Sequence, residues 1–222
     1  MVDSLNASGA GSGQVYAEAH RGALARIAEP LARRARQQRH DLYRGVMAPQ
    51  PGESILDVGC GTEGLAGFEP DADITGLDAA ERPEYPGRRF VRGDARALPF
   101  EDGAFDIAYS NSLVEHLHPQ DRGRFASELR RVARRYWVQT PNRYFPVEPH
   151  VLLPGFQFLP DGARRRLWRL GQPRTPYEPI ELLTAAELRQ LFPDAVIVRE
   201  RFAGLTKSLI AAGPAELVSG TR

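Results

Sequence analysis

The chain has 222 residues, a length that suits one well-packed domain and falls short of two ordinary ones. Hydrophobic residues make up 42% and charged residues 26%, with a net charge of +1. This balance excludes a mainly membrane-embedded chain and argues against a dedicated, strongly basic nucleic-acid binder. The one cysteine, Cys60, excludes an internal disulfide and a multi-cysteine zinc site.

Residues 1–13 are small and polar and read as a disordered leader. They lack the basic start and apolar run of a secretion signal, so a cytoplasmic location is expected, with no integral membrane segment. One domain is expected over residues 14–222, beginning with a helical segment over 14–47, where Leu24, Ile27, Ala28, Leu31 and Ala35 recur at three- and four-residue steps. Pro30 predicts a break or kink in it. Arg33, Arg34, Arg36 and Arg39 read as a solvated face.

After the turn Pro49-Gln50-Pro51-Gly52, residues 54–58 form a short apolar run that leads straight into glycines. Further strands are expected at 74–78, 89–94 and 105–110, then an amphipathic helix over 121–135 with Phe125, Leu129, Val132 and Ala133 inward, then a strand at 136–139. Residues 140–179 break this rhythm with prolines and aromatics and read as an insert. A helix over 183–192 follows, with Thr184 and Glu187 at capping-box spacing. Two closing strands are expected near 196–201 and 208–212. Short apolar strands alternating with helices make a mainly parallel α/β sheet covered on both faces. In such sheets a ligand sits beyond the carboxyl ends of the strands, where the strand order reverses.

Glycines and acids gather at those ends. Gly59, Gly61 and Gly64 match the G-x-G-x-x-G spacing of a dinucleotide site, and Asp78 stands near the offset of a ribose-binding acid. Two points oppose a nicotinamide dinucleotide. Asp57, just before the first glycine, would repel a pyrophosphate in a partly dry site. Asp94 places another acid at the next strand end, where an acceptor suits an adenine amino group. S-adenosylmethionine, with its ammonium and sulfonium, fits these acids better.

Residues 55–62 (Ile-Leu-Asp-Val-Gly-Cys-Gly-Thr), Gly76-Leu77-Asp78, residues 93–100 (Gly-Asp-Ala-Arg-Ala-Leu-Pro-Phe) and Phe105-Asp106-Ile107-Ala108 resemble the class I S-adenosylmethionine-dependent methyltransferases, and most of all their bacterial type 11 group. The resemblance implies a Rossmann-like sheet of seven strands, mostly parallel, with helices on both faces and the last strand antiparallel. It implies that Asp57, Gly59 and Gly61 hold the methionine part and Asp78 the ribose hydroxyls. Asp94 and Ala95 would flank the adenine, and Ser110 or Asn111 would lie near the sulfonium. Glu63 stands where the family usually has a third glycine, with Gly64 after it.

Methyl transfer from a sulfonium needs alignment and, for some acceptors, a base. In Glu115-His116-Leu117-His118, His116 is the first candidate base, since its pKa lies near neutrality; packing or capping is the other reading of the same residue. Glu148 and His150 are two apart beyond the fifth strand and could face an acceptor together. No metal site is expected, because too few ligands cluster. Tyr144 and Phe145 open an apolar insert that suggests an aromatic or lipid-like small-molecule acceptor. Arg164, Arg165, Arg166 and Arg169 read as a solvated helix face before an anionic membrane contact.

Three rival functions stay in view. A nucleic-acid methyltransferase would carry prolines after the fourth strand, where this chain has Ser110-Asn111-Ser112-Leu113. A non-catalytic partner protein on the same fold and a nicotinamide dehydrogenase are the others.

Overall fold

A computed structural model describes residues 23–147, 153–171, 177 and 180–218, with side chains from residue 33 onward. The expected leader, the start of the helical segment, and Glu148 and His150 lie outside the described residues.

Helix α1 spans Ala23–Met47 and is continuous through Pro30. It stops at Ala48, whose positive φ of 44° and N–H bond to the Arg44 carbonyl cap the end before Pro49. Its last two turns bury Tyr43, Val46 and Met47. The Tyr43 ring meets Tyr109 and Trp137 edge-on, 5.2 and 5.7 Å between centroids, which docks the helix on the sheet.

The strands are β1 (Ser54–Val58), β2 (Asp73–Asp78), β3 (Arg89–Arg92), β4 (Phe105–Asn111), β5 (Ala133–Pro141), β6 (Val196–Phe202) and β7 (Leu205–Gly213). They form one sheet in the order β3-β2-β1-β4-β5-β7-β6. All neighbours are parallel except β7, which runs antiparallel to β5 and β6. The seven-stranded, mostly parallel sheet with its antiparallel last strand is therefore as the resemblance implied. The strand order reverses between β1 and β4, so a crevice opens beyond their carboxyl ends.

Alternation along each strand builds two cores. Ile55, Ile74, Ile107, Trp137 and Ile210 face α1 on one side. Leu56, Leu77, Ala108, Val138 and Leu209 face the other side. That second face is covered by helix α2 (Pro119–Val132), through Phe125, Ala126 and Leu129, and by helix α4 (Ala185–Leu191), through Leu188. Thr184 and Glu187 cap α4 reciprocally, as their spacing predicts.

The structure departs from the sequence expectation at several points. Residues 133–135 belong to β5 and not to the preceding helix, because Ala133 pairs with Phe105 and Arg135 with Ile107. Strand β7 starts at Leu205, leaving Ala203 and Gly204, both at positive φ, as a two-residue hairpin turn. The connections after β1, β2 and β3 contain turns but no α-helix, so helices do not follow every strand. Within the insert, helix α3 (Asp161–Gly171) buries Trp168 and pairs Arg164 and Arg165 with Asp161. No helix among the described residues is long and apolar enough to cross a membrane.

Candidate active site

β1 delivers Asp57 to the crevice, and the chain then turns back on itself. The N–H groups of Gly59 and Cys60 both donate to the Leu77 carbonyl of β2, at 2.8 and 3.2 Å. A side chain at Gly59 would start 2.9 Å from Leu113, and its φ is +74°. Asp57 is 1% exposed. Its Oδ2 accepts from the Leu65 N–H at 2.7 Å and from the Tyr85 hydroxyl at 3.1 Å. Burial pushes its pKa up to about 7, against the lowering effect of these two bonds.

The displaced third glycine has a role here. A Cβ on Gly64 would lie 2.1 Å from Asp57 Oδ2, at a φ of +51°, so the carboxylate occupies the space that Gly64 leaves. Glu63 is exposed.

Asp78 ends β2 and ties it to the glycine turn. Its Oδ2 accepts from the Gly61 N–H at 3.0 Å, and its Oδ1 from the Ala80 N–H at 2.9 Å. Arg82 pairs with the same carboxylate at 3.3 Å. Asp57, Gly59, Gly61 and Asp78 thus lie together at the ends of β1 and β2, with Gly61 bonded to Asp78 and Gly59 to Leu77. Asp94, beyond β3, is about half exposed and held by Arg96, which also bonds Asp121 at 2.9 Å. The Arg96 guanidinium keeps the Asp94 carboxyl below its ordinary pKa. Ala95 beside it is partly buried against the α2 side of the core.

At the end of β4, the fully buried Ser110 hydroxyl donates to the Val58 carbonyl at 2.9 Å, locking β4 to β1. Asn111 accepts from Arg39 of α1 at 3.0 Å. Arg39 also bonds Glu200 of β6 at 3.0 Å, and Lys207 stands 3.7 Å from the same carboxylate. His116 closes a single 3₁₀ turn, Val114–His116, and is half-buried. Glu115 beside it is 1% exposed and accepts from the Thr140 hydroxyl at 3.0 Å. His118 caps α2 from an exposed position.

On the acceptor side, Tyr144 is 67% exposed. Phe145 meets Phe202, at the end of β6, edge-on at 6.5 Å.

The sequence pattern does not single out Tyr85 or Arg82, places Arg39 on a solvated arginine face although it bonds Asn111 and Glu200, and presents Glu115 only as the neighbour of His116. No local sequence signal marks Tyr85: its place depends on Gly76 and Gly87, where a side chain would meet the Tyr85 ring at 2.4 and 2.3 Å.

Residues 56–136 match the family profile described as a methyltransferase domain. Over 107 residues the chain is 38% identical to a phthiotriol/phenolphthiotriol dimycocerosates methyltransferase of Mycobacterium tuberculosis, covering 43% of this chain and 37% of that one. The chain thus spans little more than a third of that relative's length. Among solved structures, it resembles the 1,6-didemethyltoxoflavin-N1-methyltransferase of Burkholderia thailandensis, with bound 1,6-didemethyltoxoflavin and S-adenosylhomocysteine. The identity is 17%, over 90% of this chain and 88% of that one, with a TM-score of 0.53. It also resembles the magnesium protoporphyrin IX methyltransferase of Synechocystis PCC 6803 with bound S-adenosylmethionine. There the identity is 14%, over 90% and 89% of the two chains, with a TM-score of 0.54.

Proposed function

We infer that this chain, which carries a class I S-adenosylmethionine-dependent methyltransferase domain of the type 11 group, binds that cofactor at the ends of β1 to β4 and transfers its methyl group to a small molecule. The observation that carries the reading is the buried Asp57 beside the bonded pair of Gly61 N–H and Asp78, at the strand ends next to the point where the strand order reverses. The residues present fit a cation. Asp57 is an acid buried without a cationic partner among the described residues, and space is open around Gly61. A diphosphate would face the Asp57 carboxylate there.

When bound, S-adenosylmethionine supplies a methyl group already carried by a good leaving group. Asp57, Gly59 and Gly61 take its methionine part, Asp57 opposing the ammonium. Asp78 takes the ribose hydroxyls, Asp94 and Ala95 flank the adenine, and Ser110 and Asn111 border the sulfonium. The rigid ends of β1 and β4, bonded through Ser110, hold the two reactants in line, and such alignment is worth roughly 7–11 kcal/mol. His116 removes the acceptor proton where the acceptor has one to lose, a contribution of about 10²- to 10⁴-fold. Tyr144 and Phe145, with Glu148 and His150, contact the acceptor.

The exposed Tyr144 and the Phe145–Phe202 contact support an acceptor with an aromatic or lipid-like body. The near-zero net charge supports a small molecule over a nucleic acid. Calorimetric titration with S-adenosylmethionine tests the cofactor, and absence of binding would refute the function. Incubation with methyl-labelled cofactor and cell extract, followed by identification of the labelled product, tests the acceptor. An apolar or aromatic product is expected, whereas labelling of small polar acids alone would overturn that acceptor class.

A further inference from the structure

A cavity of about 200 Å³ opens where the insert meets α2 and α4. Three guanidinium groups line it: Arg122 from α2, Arg143 from the turn after β5 and Arg164 from α3. Glu181 and Glu187 line it too, so three positive groups face two negative ones, and Arg164 also pairs with Asp161 of its own helix at 3.6 Å. One of those acids is already engaged, since the Glu187 carboxylate accepts the Thr184 N–H at 2.7 Å.

Arg122 is 6% exposed. It donates to the backbone carbonyls of Leu117, at 3.1 Å, and Glu181, at 2.7 Å. Among the described residues it makes no ion pair, and burial lowers its pKa, opposed by the more distant Glu181, Glu187 and Glu115. A buried guanidinium bonded to neutral acceptors favours an anion beside it.

Two more polar atoms of the lining are buried without a hydrogen-bond partner among the described residues. Arg164 Nε is a donor and Gln157 Oε1 an acceptor. An orphaned buried group costs about 1–3 kcal/mol, and it points to a water or ligand that completes it. An anionic oxygen completes the first, and a hydroxyl or N–H on the same ligand completes the second. Ile180 and Leu182 give the cavity an apolar portion. Two residues of the lining are also bonded to the neighbours of the candidate base. Arg122 holds Leu117, the residue after His116, and the Glu181 N–H donates to the Glu115 carbonyl at 3.3 Å.

We propose that this cavity seats an anionic group of the methyl acceptor, a carboxylate or a phosphate, between Arg143 and Arg164, with Arg122 as the buried counter-charge. The acceptor is then amphiphilic, an acid on an aromatic or lipid-like body. The role as acceptor site rests on the methyltransferase reading; the anion site does not.

The test is calorimetric titration of the full chain with benzoate, inorganic phosphate and neutral benzamide, alongside S-adenosylmethionine. Either anion is expected to bind at least about tenfold tighter than benzamide, the size of one or two charge-assisted hydrogen bonds. Preference between benzoate and phosphate tells which acid the acceptor carries. In the variant combining Arg143→Gln with Arg164→Gln, anion affinity is expected to fall about tenfold or more, with S-adenosylmethionine affinity unchanged. Arg166→Gln, an exposed arginine of the same helix outside the lining, is the control and is expected to match the parent. Equal binding of anions and benzamide, or equal anion binding by the double variant and the parent, would overturn the proposal. Anion binding without S-adenosylmethionine binding would leave the site standing and refute the methyltransferase reading instead.

Discussion

Tyr85 holds the Asp57 carboxylate from a connection that contains no helix. Its ring lies against Gly76 and Gly87, and its hydroxyl donates to Asp57 Oδ2 at 3.1 Å. That bond favours the charged form of an acid that burial pushes up to about 7, with Asp78 adding repulsion. Two pH effects of opposite sign follow. The folded pKa lies above the ordinary 3.8, so the stability that protonated Asp57 contributes is lost as pH rises toward and through about 7. Affinity for the cationic cofactor rises over the same window as Asp57 becomes charged. Tyr85→Phe removes a donor to the charged form, so the midpoint of cofactor affinity against pH is expected to move up by about one unit. Calorimetric dissociation constants between pH 5.5 and 9 measure it, and an unmoved midpoint would show that Tyr85 only packs. None of this was legible locally. Asp57 stands out beside its glycines, but Tyr85 acquires its role through two glycines that make room for its ring.

A side chain of α1 reaches across the sheet to its far edge. Arg39 bonds Asn111 of β4 and Glu200 of β6, and Glu200 is 7% exposed. Burial lowers the pKa of Lys207, which shares that carboxylate. Arg39→Gln leaves Glu200 with a weaker partner and removes the charged bond to Asn111. The expected loss is about 3 kcal/mol of unfolding free energy, read by urea denaturation. An accompanying loss of cofactor affinity would show that Asn111 depends on this tether.

Legibility divides along the same elements. The strands were readable because both faces of a covered sheet are apolar, and α4 because its capping box is local. The end of α2 was not, since Val132 and Ala133 are apolar in a helical or a strand period alike. Only pairing with Phe105 assigns Ala133 to β5. Arg39 looked like one of several solvated arginines; its partners lie on strands distant in sequence.

For the whole molecule, the cofactor reading makes ligand binding and folding one equilibrium. The candidate site takes residues from β1, β2 and the turn between them, and the Ser110 clasp adds β4. These strands carry both cores, so a ligand held there binds the folded sheet and not the unfolded chain. At a concentration 100 times its dissociation constant, such a ligand adds about 2.7 kcal/mol. For a chain of 222 residues each kcal/mol raises Tm by roughly 2–4 °C, so S-adenosylhomocysteine is expected to raise it by about 5–10 °C. NAD is expected to leave Tm unchanged, because Asp57 faces its pyrophosphate with like charge. Asp78→Asn keeps the shape of the site but weakens the acceptor for two ribose hydroxyls, and it should remove most of the shift at the same ligand concentration. Differential scanning fluorimetry at pH 8, where Asp57 is mainly charged, reads all three. A shift with NAD, or none with S-adenosylhomocysteine, would return the glycine turn to the dinucleotide reading or to a purely structural one.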